Sequence, residues 1–149
     1  MNTVIRTTSE NTDFKNLVVV LDAFLKITDG DEHSFYDQFN KIDTIKNVVV
    51  FYIDNIAVGC GAFKEYDSKS VEIKRMFVHS DFRGKGIAGK ILSELELWAK
   101  ELNYHESILE TGNKQTAAVA LYLKCGYEIT PNYGQYATVE NSICMKKKL

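Results

Sequence analysis

Apolar positions along the chain follow two periods, one of two residues and one of three to four, and these divide it into predicted strands and helices. Residues 3–8, TVIRTT, alternate and are β-branched, which predicts an opening strand. In FKNLVVVLDAFLKI, Phe14, Leu17, Val18, Leu21, Phe24 and Leu25 share one helical face, so an amphipathic helix is expected. HSFYDQF, residues 33–39, reads as a second, shorter helix. NVVVFYI and IAVGCGAF flank the dipeptide Asp54-Asn55, the pattern of a tight β-hairpin, and SVEIKRMFV extends it into a meander. Beyond it, 87–102 has helical spacing and ESILE is a short strand. KQTAAVALYLKCG places Ala118, Leu121 and Tyr122 on one helix face, with Gly126 as the C-cap. YEI and SICMKKK close the chain as strands.

The order β, α, α, three strands, α, β, α, β, β predicts a mixed α/β fold. It consists of a mostly antiparallel sheet of about seven strands flanked by about four helices, with one or two parallel crossovers. A chain of 149 residues suits a single domain, 1–149, with one core. A net charge of −2 gives no footprint for nucleic acid or an anionic membrane, and Lys146, Lys147 and Lys148 read as a solvated chain end. Cys60, Cys125 and Cys144 are scattered, with no C-x-x-C pair and no histidine at ligand spacing. No metal is expected, and reduced thiols in a cytoplasmic protein are. The first residues lack an apolar signal core, and the apolar run around Asp22 is too short to span a membrane.

One stretch carries chemistry. VHSDFRGKGIAGKIL holds Gly84, Gly86 and Gly89 as G-x-G-x-x-G, after a strand and at the start of a helix, with Glu110 about 20 residues further on. A dinucleotide-binding fold is nevertheless disfavoured. Five residues separate Val78 from Gly84, where that fold needs the first glycine to end the strand directly. The motif also falls after half the chain, and only the 66 residues 84–149 remain. The anion-cradle logic survives without that fold. Gly84, Gly86 and Ala88 are small enough for backbone N–H groups to approach phosphate oxygens at a helix N-terminus, and Arg83 and Lys85 add positive charge. The plain alternative is a strand-to-helix connection that uses glycines for tightness.

The residues around the loop favour the cradle. MFVHSDFRGKGIAGKIL resembles the acetyl-CoA loop of the GNAT superfamily of N-acetyltransferases, [RQ]-x-x-G-x-[GA], at Arg83, Gly86 and Ala88. About 30 residues on, QTAAVALYLKCGY is similar to the same family's N-x-x-A-x-x-L-Y-x-x-x-G-[FY] at Ala118, Leu121, Tyr122, Gly126 and Tyr127, with Gln115 in place of the usual asparagine. The two motifs cover about residues 72–127, and the element order outside them agrees.

The resemblance implies acetyl transfer from acetyl-CoA to an amine, without a metal. By that resemblance Arg83, Gly84, Lys85, Gly86, Ile87, Ala88 and Gly89 hold the coenzyme diphosphate, with Gln115 and Tyr122 also touching the coenzyme. The backbone of Met76, Phe77 and Val78 pairs with its pantetheine arm as an added strand would, and a backbone N–H near Val78 faces the thioester oxygen. Tyr122 occupies the family's general-acid position; its alternative is a helix aromatic packed on the core. Glu72, six residues before Val78, is the candidate base, against a cross-strand ion pair with a lysine or a base made of water molecules. Strict alternation places Glu72, Lys74 and Met76 on one face of the strand and Ile73, Arg75 and Phe77 on the other. Glu110 is a second carboxylate that could share the role, while His79 reads as a solvated residue at the loop entry. Lys74 or Arg75 could meet a substrate carboxylate or simply be paired. Tyr133 and Tyr136, in the 131–136 turn, are candidates for the acceptor pocket. The acceptor implied is a small-molecule amine, such as an amino-acid-like one; the alternatives are a protein or peptide amine, or a non-catalytic acetyl-CoA-binding module. Small members of the family often pair, so a homodimer is a further expectation.

Overall fold

The computed structural model describes residues 1–29 and 45–149. The HSFYDQF segment, expected as a helix, lies outside the described residues. Seven strands are present among the described residues: β1 (Asn2–Thr7), β2 (Asn47–Ile53), β3 (Ile56–Glu65), β4 (Ser70–Val78), β5 (Glu106–Gly112), β6 (Glu128–Thr130) and β7 (Ser142–Lys148). The helices among the described residues are α1 (Thr12–Asp29), α2 (Ile87–Glu101) and α3 (Thr116–Lys124), three where about four were expected. The strands form one sheet in the order β1-β2-β3-β4-β5-β7-β6, antiparallel throughout except for the β4–β5 pair. The mixed α/β expectation therefore holds. At the hairpin, Asp54 and Asn55 have φ of 49° and 69°, the left-handed pair that a two-residue turn needs and that Asp and Asn tolerate.

Helices cover both faces of the sheet. Asn11 Oδ1 accepts the Phe14 N–H at 2.9 Å and starts α1. Phe14, Leu17, Val18 and Leu21 of α1 are then buried against Val48, Val50, Cys60, Ala62 and Phe77. Phe24, expected on that buried face, is instead 36% exposed at its rim. On the other face Ile87, Ile91, Leu92, Leu95 and Ala99 of α2 meet Val49, Phe51, Val71 and Ile73. Each fully buried Ile or Leu stabilises the fold by about 1.5–3 kcal/mol relative to exposure. The close seat of α2 on β3 depends on Gly61, where a Cβ would lie 2.5 Å from Met76 Sδ and 2.9 Å from Ile91 and Leu95 side-chain carbons.

Two irregularities shape the site. Cys60 pairs with Phe77 but Ala62 pairs with Lys74, so Arg75 and Met76 together oppose Gly61 in a bulge, with Arg75 at φ 58°. This corrects the strict alternation. Met76 turns to the α2 side with Ile73 and Val78. Arg75 joins Glu72, Lys74 and Phe77 on the α1 side, its Nη1 2.8 Å from Asp22 Oδ1. The second irregularity is the β4–β5 ladder, which spans three pairs, Ser70–Glu106 to Glu72–Ile108, and then stops, although both strands continue. Beyond Glu72 the sheet is parted.

Candidate active site

A cleft of about 530 Å³ occupies the parted region, within the roughly 300–1,000 Å³ usual for small-molecule sites. Its walls include β4 from Glu72 to Val78, β5 from Leu109 to Gly112, the start of α2, one face of α3, and Leu21, Phe24 and Leu25 of α1. Glu72, Met76, Phe77, Val78, Arg83, Gly84, Gly86, Ile87, Ala88, Gly89, Gln115 and Tyr122, expected from sequence, all line it.

One end is a cradle of backbone. After a 3₁₀ turn, Ser80–Phe82, the chain passes through Gly84 at φ 79° and Gly86 at φ 77°, both left-handed, and enters α2. Gly86 is the N-cap and offers no side chain to the first-turn N–H groups, which leaves them available to an anion. A Cβ placed on Gly84, Gly86 or Gly89 would meet no atom within 4 Å, so the loop faces open space. Arg83 is anchored beside it: its Nε donates to the Val78 carbonyl at 3.0 Å, and its guanidinium lies 5.0 Å from the Phe24 ring centroid. Glycine N–H groups, a helix N-terminus and an arginine fit the coenzyme diphosphate that the resemblance implies. Lys85 sits outside the cleft lining, its ammonium 5.4 Å from the Phe82 ring centroid.

Tyr122 projects from α3 into the cleft wall. It is buried and packs edge-on to Tyr127 at 5.9 Å. Burial above all, with Cys125 and Glu110 adding to it, holds its phenol above the ordinary value. The hydroxyl keeps its proton at neutral pH and can serve as a donor there.

The opposite end is built of side chains. Glu72 is 8% exposed and held at both oxygens: Tyr133 Oη donates to Oε2 at 2.6 Å, and Lys74 Nζ lies 3.2 Å from Oε1. The expected ion pair is thus present, but with Lys74, two residues along the same strand. Glu110 lines the cleft from β5, and its Oε2 accepts from Ser142 Oγ at 2.7 Å. Tyr136, 1% exposed, also lines the cleft and stands edge-on to Tyr133 at 5.8 Å. Burial above all, with Glu110 and Glu72 adding to it, pushes the Cys144 thiol up to about 11. Arg75 is paired with Asp22. His79 does not line the cleft; its Nδ1 accepts from the Asp81 N–H, which marks it as a loop residue.

Sequence reasoning missed three contributors. Phe24 was read as core, and nothing local to it predicts the Arg83 guanidinium above its ring. Lys124 and Thr111 line the cleft without any motif of their own. The Tyr133–Glu72 hydrogen bond joins residues 61 apart in the chain, a separation at which no pattern is readable.

The cleft has counterparts in known proteins. Residues 17–127 match the model of the acetyltransferase (GNAT) family. YsnE, an uncharacterized N-acetyltransferase of Bacillus subtilis, is 34% identical over 93 residues, covering 61% of this chain and 62% of that protein. IAA acetyltransferase of Azospirillum brasilense is 36% identical over 93 residues, covering 62% and 61%. The matches thus span less than two thirds of those curated relatives. Among solved structures, an acyl-CoA N-acyltransferase candidate from Klebsiella pneumoniae superposes with a TM-score of 0.84 at 28% identity over 100% of this chain and 98% of its own. A GNAT family acetyltransferase from Elizabethkingia anophelis with acetyl-CoA bound has the same fold, with a TM-score of 0.70 at 22% identity over 99% and 98%. With a cradle and a parted sheet that a family model matches over 111 of its 149 residues (17–127), this chain belongs to the acetyltransferase (GNAT) family.

Proposed function

We propose that residues 1–149 form one catalytic domain that transfers acetyl from acetyl-CoA to the primary amine of a small molecule. The carrying observation is that the glycine cradle, the parted edge of β4 and the hydroxyl-bearing wall of α3 open onto one cleft of about 530 Å³. The Elizabethkingia protein, on the same fold, holds acetyl-CoA, which supports the choice of donor.

Acetyl-CoA would bring the activated acetyl thioester; the chain's own residues supply position and proton control. Arg83, Gly84, Gly86, Ile87, Ala88 and Gly89 would hold the diphosphate, with Lys85 at the loop's outer side. The backbone of Met76, Phe77 and Val78 would hold the extended arm, and Gln115 would flank it. Tyr122, protonated, would face the sulfur. A thiol in water titrates near ~8.5, well below a buried phenol, so Tyr122 helps mainly as a hydrogen-bond donor to the departing sulfur. An alkyl amine, near ~10.4 in water, must lose a proton before it attacks, and Glu72 is the base we assign, with Glu110 on the neighbouring strand as the second carboxylate of the acceptor end. At the end near Glu72 the cleft is lined by Tyr136, with Tyr133 behind it hydrogen-bonded to Glu72, and this side-chain-lined end supports a small amine over a protein segment. Three unpaired thiols, Cys60, Cys125 and Cys144, suit a reducing, cytoplasmic setting. If two copies pair, β1 and β6 are the sheet edges that a partner would meet.

The donor assignment is tested by thermal denaturation. Acetyl-CoA should raise the Tm, since a ligand that binds only the native state stabilises it by about 2.7 kcal/mol at a hundred times its Kd. NAD and NADP should leave the Tm unchanged. A shift with NADH and none with acetyl-CoA would overturn the proposal, and an amine panel with released CoA as the readout then separates small acceptors from peptides.

A further inference from the structure

Tyr133 was expected, at most, to border the acceptor pocket. The structure gives it a more specific place. Its Oη donates to Glu72 Oε2 at 2.6 Å, within the range of strong hydrogen bonds to a carboxylate. Its ring is locked on both sides, edge-on to Tyr66 at 5.2 Å and to Tyr136 at 5.8 Å. The loop carrying it lies between β6 and β7, so the contact ties the far edge of the sheet to the strand beside the cleft. Burial first, and then the Glu72 charge, hold the Tyr133 phenol above its ordinary value, so it remains a donor across the pH range in which enzymes work.

We propose that Tyr133 is a positioning residue that keeps Glu72 ionised and aimed into the cleft for proton removal from the acceptor amine. The inference rests on the assignment of Glu72 as base. Groups from several elements bear on Glu72. Lys74 holds its other oxygen, and Arg75 follows on the same strand, already paired with Asp22 of α1. Lys64 lies opposite it on β3. Glu110 of β5 opposes its charge across the parted sheet, while Tyr136 and Cys144 feel both carboxylates. Lys74 Nζ lies 3.2 Å from Oε1, and Tyr133 donates to Oε2 at 2.6 Å. A carboxylate hydrogen-bonded in its charged form gives up that form less readily. Removing the Tyr133 hydroxyl should therefore let Glu72 take up a proton at higher pH.

The experiment compares wild type, Tyr133→Phe and Glu72→Gln by two measurements. The first needs no turnover: the carbon-13 resonance of the Glu72 carboxyl, assigned as the signal lost in Glu72→Gln, is followed against pH. In Tyr133→Phe its midpoint should rise by about one pH unit, the scale expected for losing one hydrogen bond to a charged group. The second is the pH profile of kcat/KM with the best amine of the panel, in which the acidic limb should move to higher pH by the same amount. Tyr133→Phe keeps both ring contacts, and its Tm reports whether the loop stays in place. If the variant proves poorly folded, Lys74→Met tests the same carboxylate from its other oxygen and should displace the midpoint in the same direction. An unmoved Glu72 midpoint in folded Tyr133→Phe overturns the inference and leaves Glu72 as base if Glu72→Gln flattens the acidic limb. A midpoint that moves while the limb stays fixed overturns the base assignment itself, so the two failures are distinguishable.

Discussion

The two ends of the cleft are made from different materials. The loop proposed for the diphosphate draws on seven consecutive residues, 83–89, and would work through backbone N–H groups that glycine leaves accessible. The end proposed for the acceptor takes Glu72 from β4, Glu110 from β5 and Tyr136 from the loop before β7, backed by Tyr133, Ser142 and Cys144, a span of residues 72–144. A diphosphate is the same in every reaction of one coenzyme, so a fixed backbone trap suits it. An acceptor varies, and side chains gathered from distant strands can vary with it while the sheet stays the same. The difference teaches where to look for specificity: in the hydroxyl and carboxylate groups around Glu72 rather than in the loop.

The comparison breaks first at Tyr122, which stands on the wall shared by both ends. Tyr122→Phe keeps the packing on Tyr127 and removes only the hydroxyl. Turnover should fall by about 10²–10³-fold, the scale for losing one transition-state hydrogen-bond donor, with tenfold the least that supports the role, while acetyl-CoA affinity changes little. Steady-state kinetics beside a calorimetric titration checks both, and unchanged turnover in a folded variant would move the reading towards a silent acetyl-CoA-binding module.

A smaller effect isolates the cradle. In Gly86→Asp the new side chain meets no protein atom, although the left-handed φ of 77° carries some strain, and it places a negative charge where the diphosphate would lie. Acetyl-CoA should bind about tenfold more weakly or worse, a loss of about 1.4 kcal/mol or more, with the fold retained. Normal binding by titration would show the cradle to be misassigned.

Smallest in kinetic terms, Gly61→Ala separates a glycine that the sheet needs from one that the coenzyme needs. Its Cβ would crowd Met76, Ile91 and Leu95 beneath α2, so urea denaturation should show a loss of about 1–3 kcal/mol, the usual cost of overpacking a core. A neutral result would mean that Met76 and α2 shift freely, contrary to the tight seat of the helix.

The sequence alone determined whatever depends on neighbours in the chain. The hairpin at Asp54-Asn55, the limits of β2, β4 and α2 to within a residue, and the cradle at the start of α2 follow from period, turn chemistry and the small residues that a close backbone approach requires. Only the tertiary structure decided the rest. The bulge at Arg75 reversed the faces of the following residues, because a strand's alternation holds only while its pairing is regular, and that pairing is made with β3. The same distance effect hid the end proposed for the acceptor. Glu72 and Tyr133 acquire chemical meaning when folding brings them within 2.6 Å, and a hydrogen bond between residues 61 apart leaves no period in the chain that contains them.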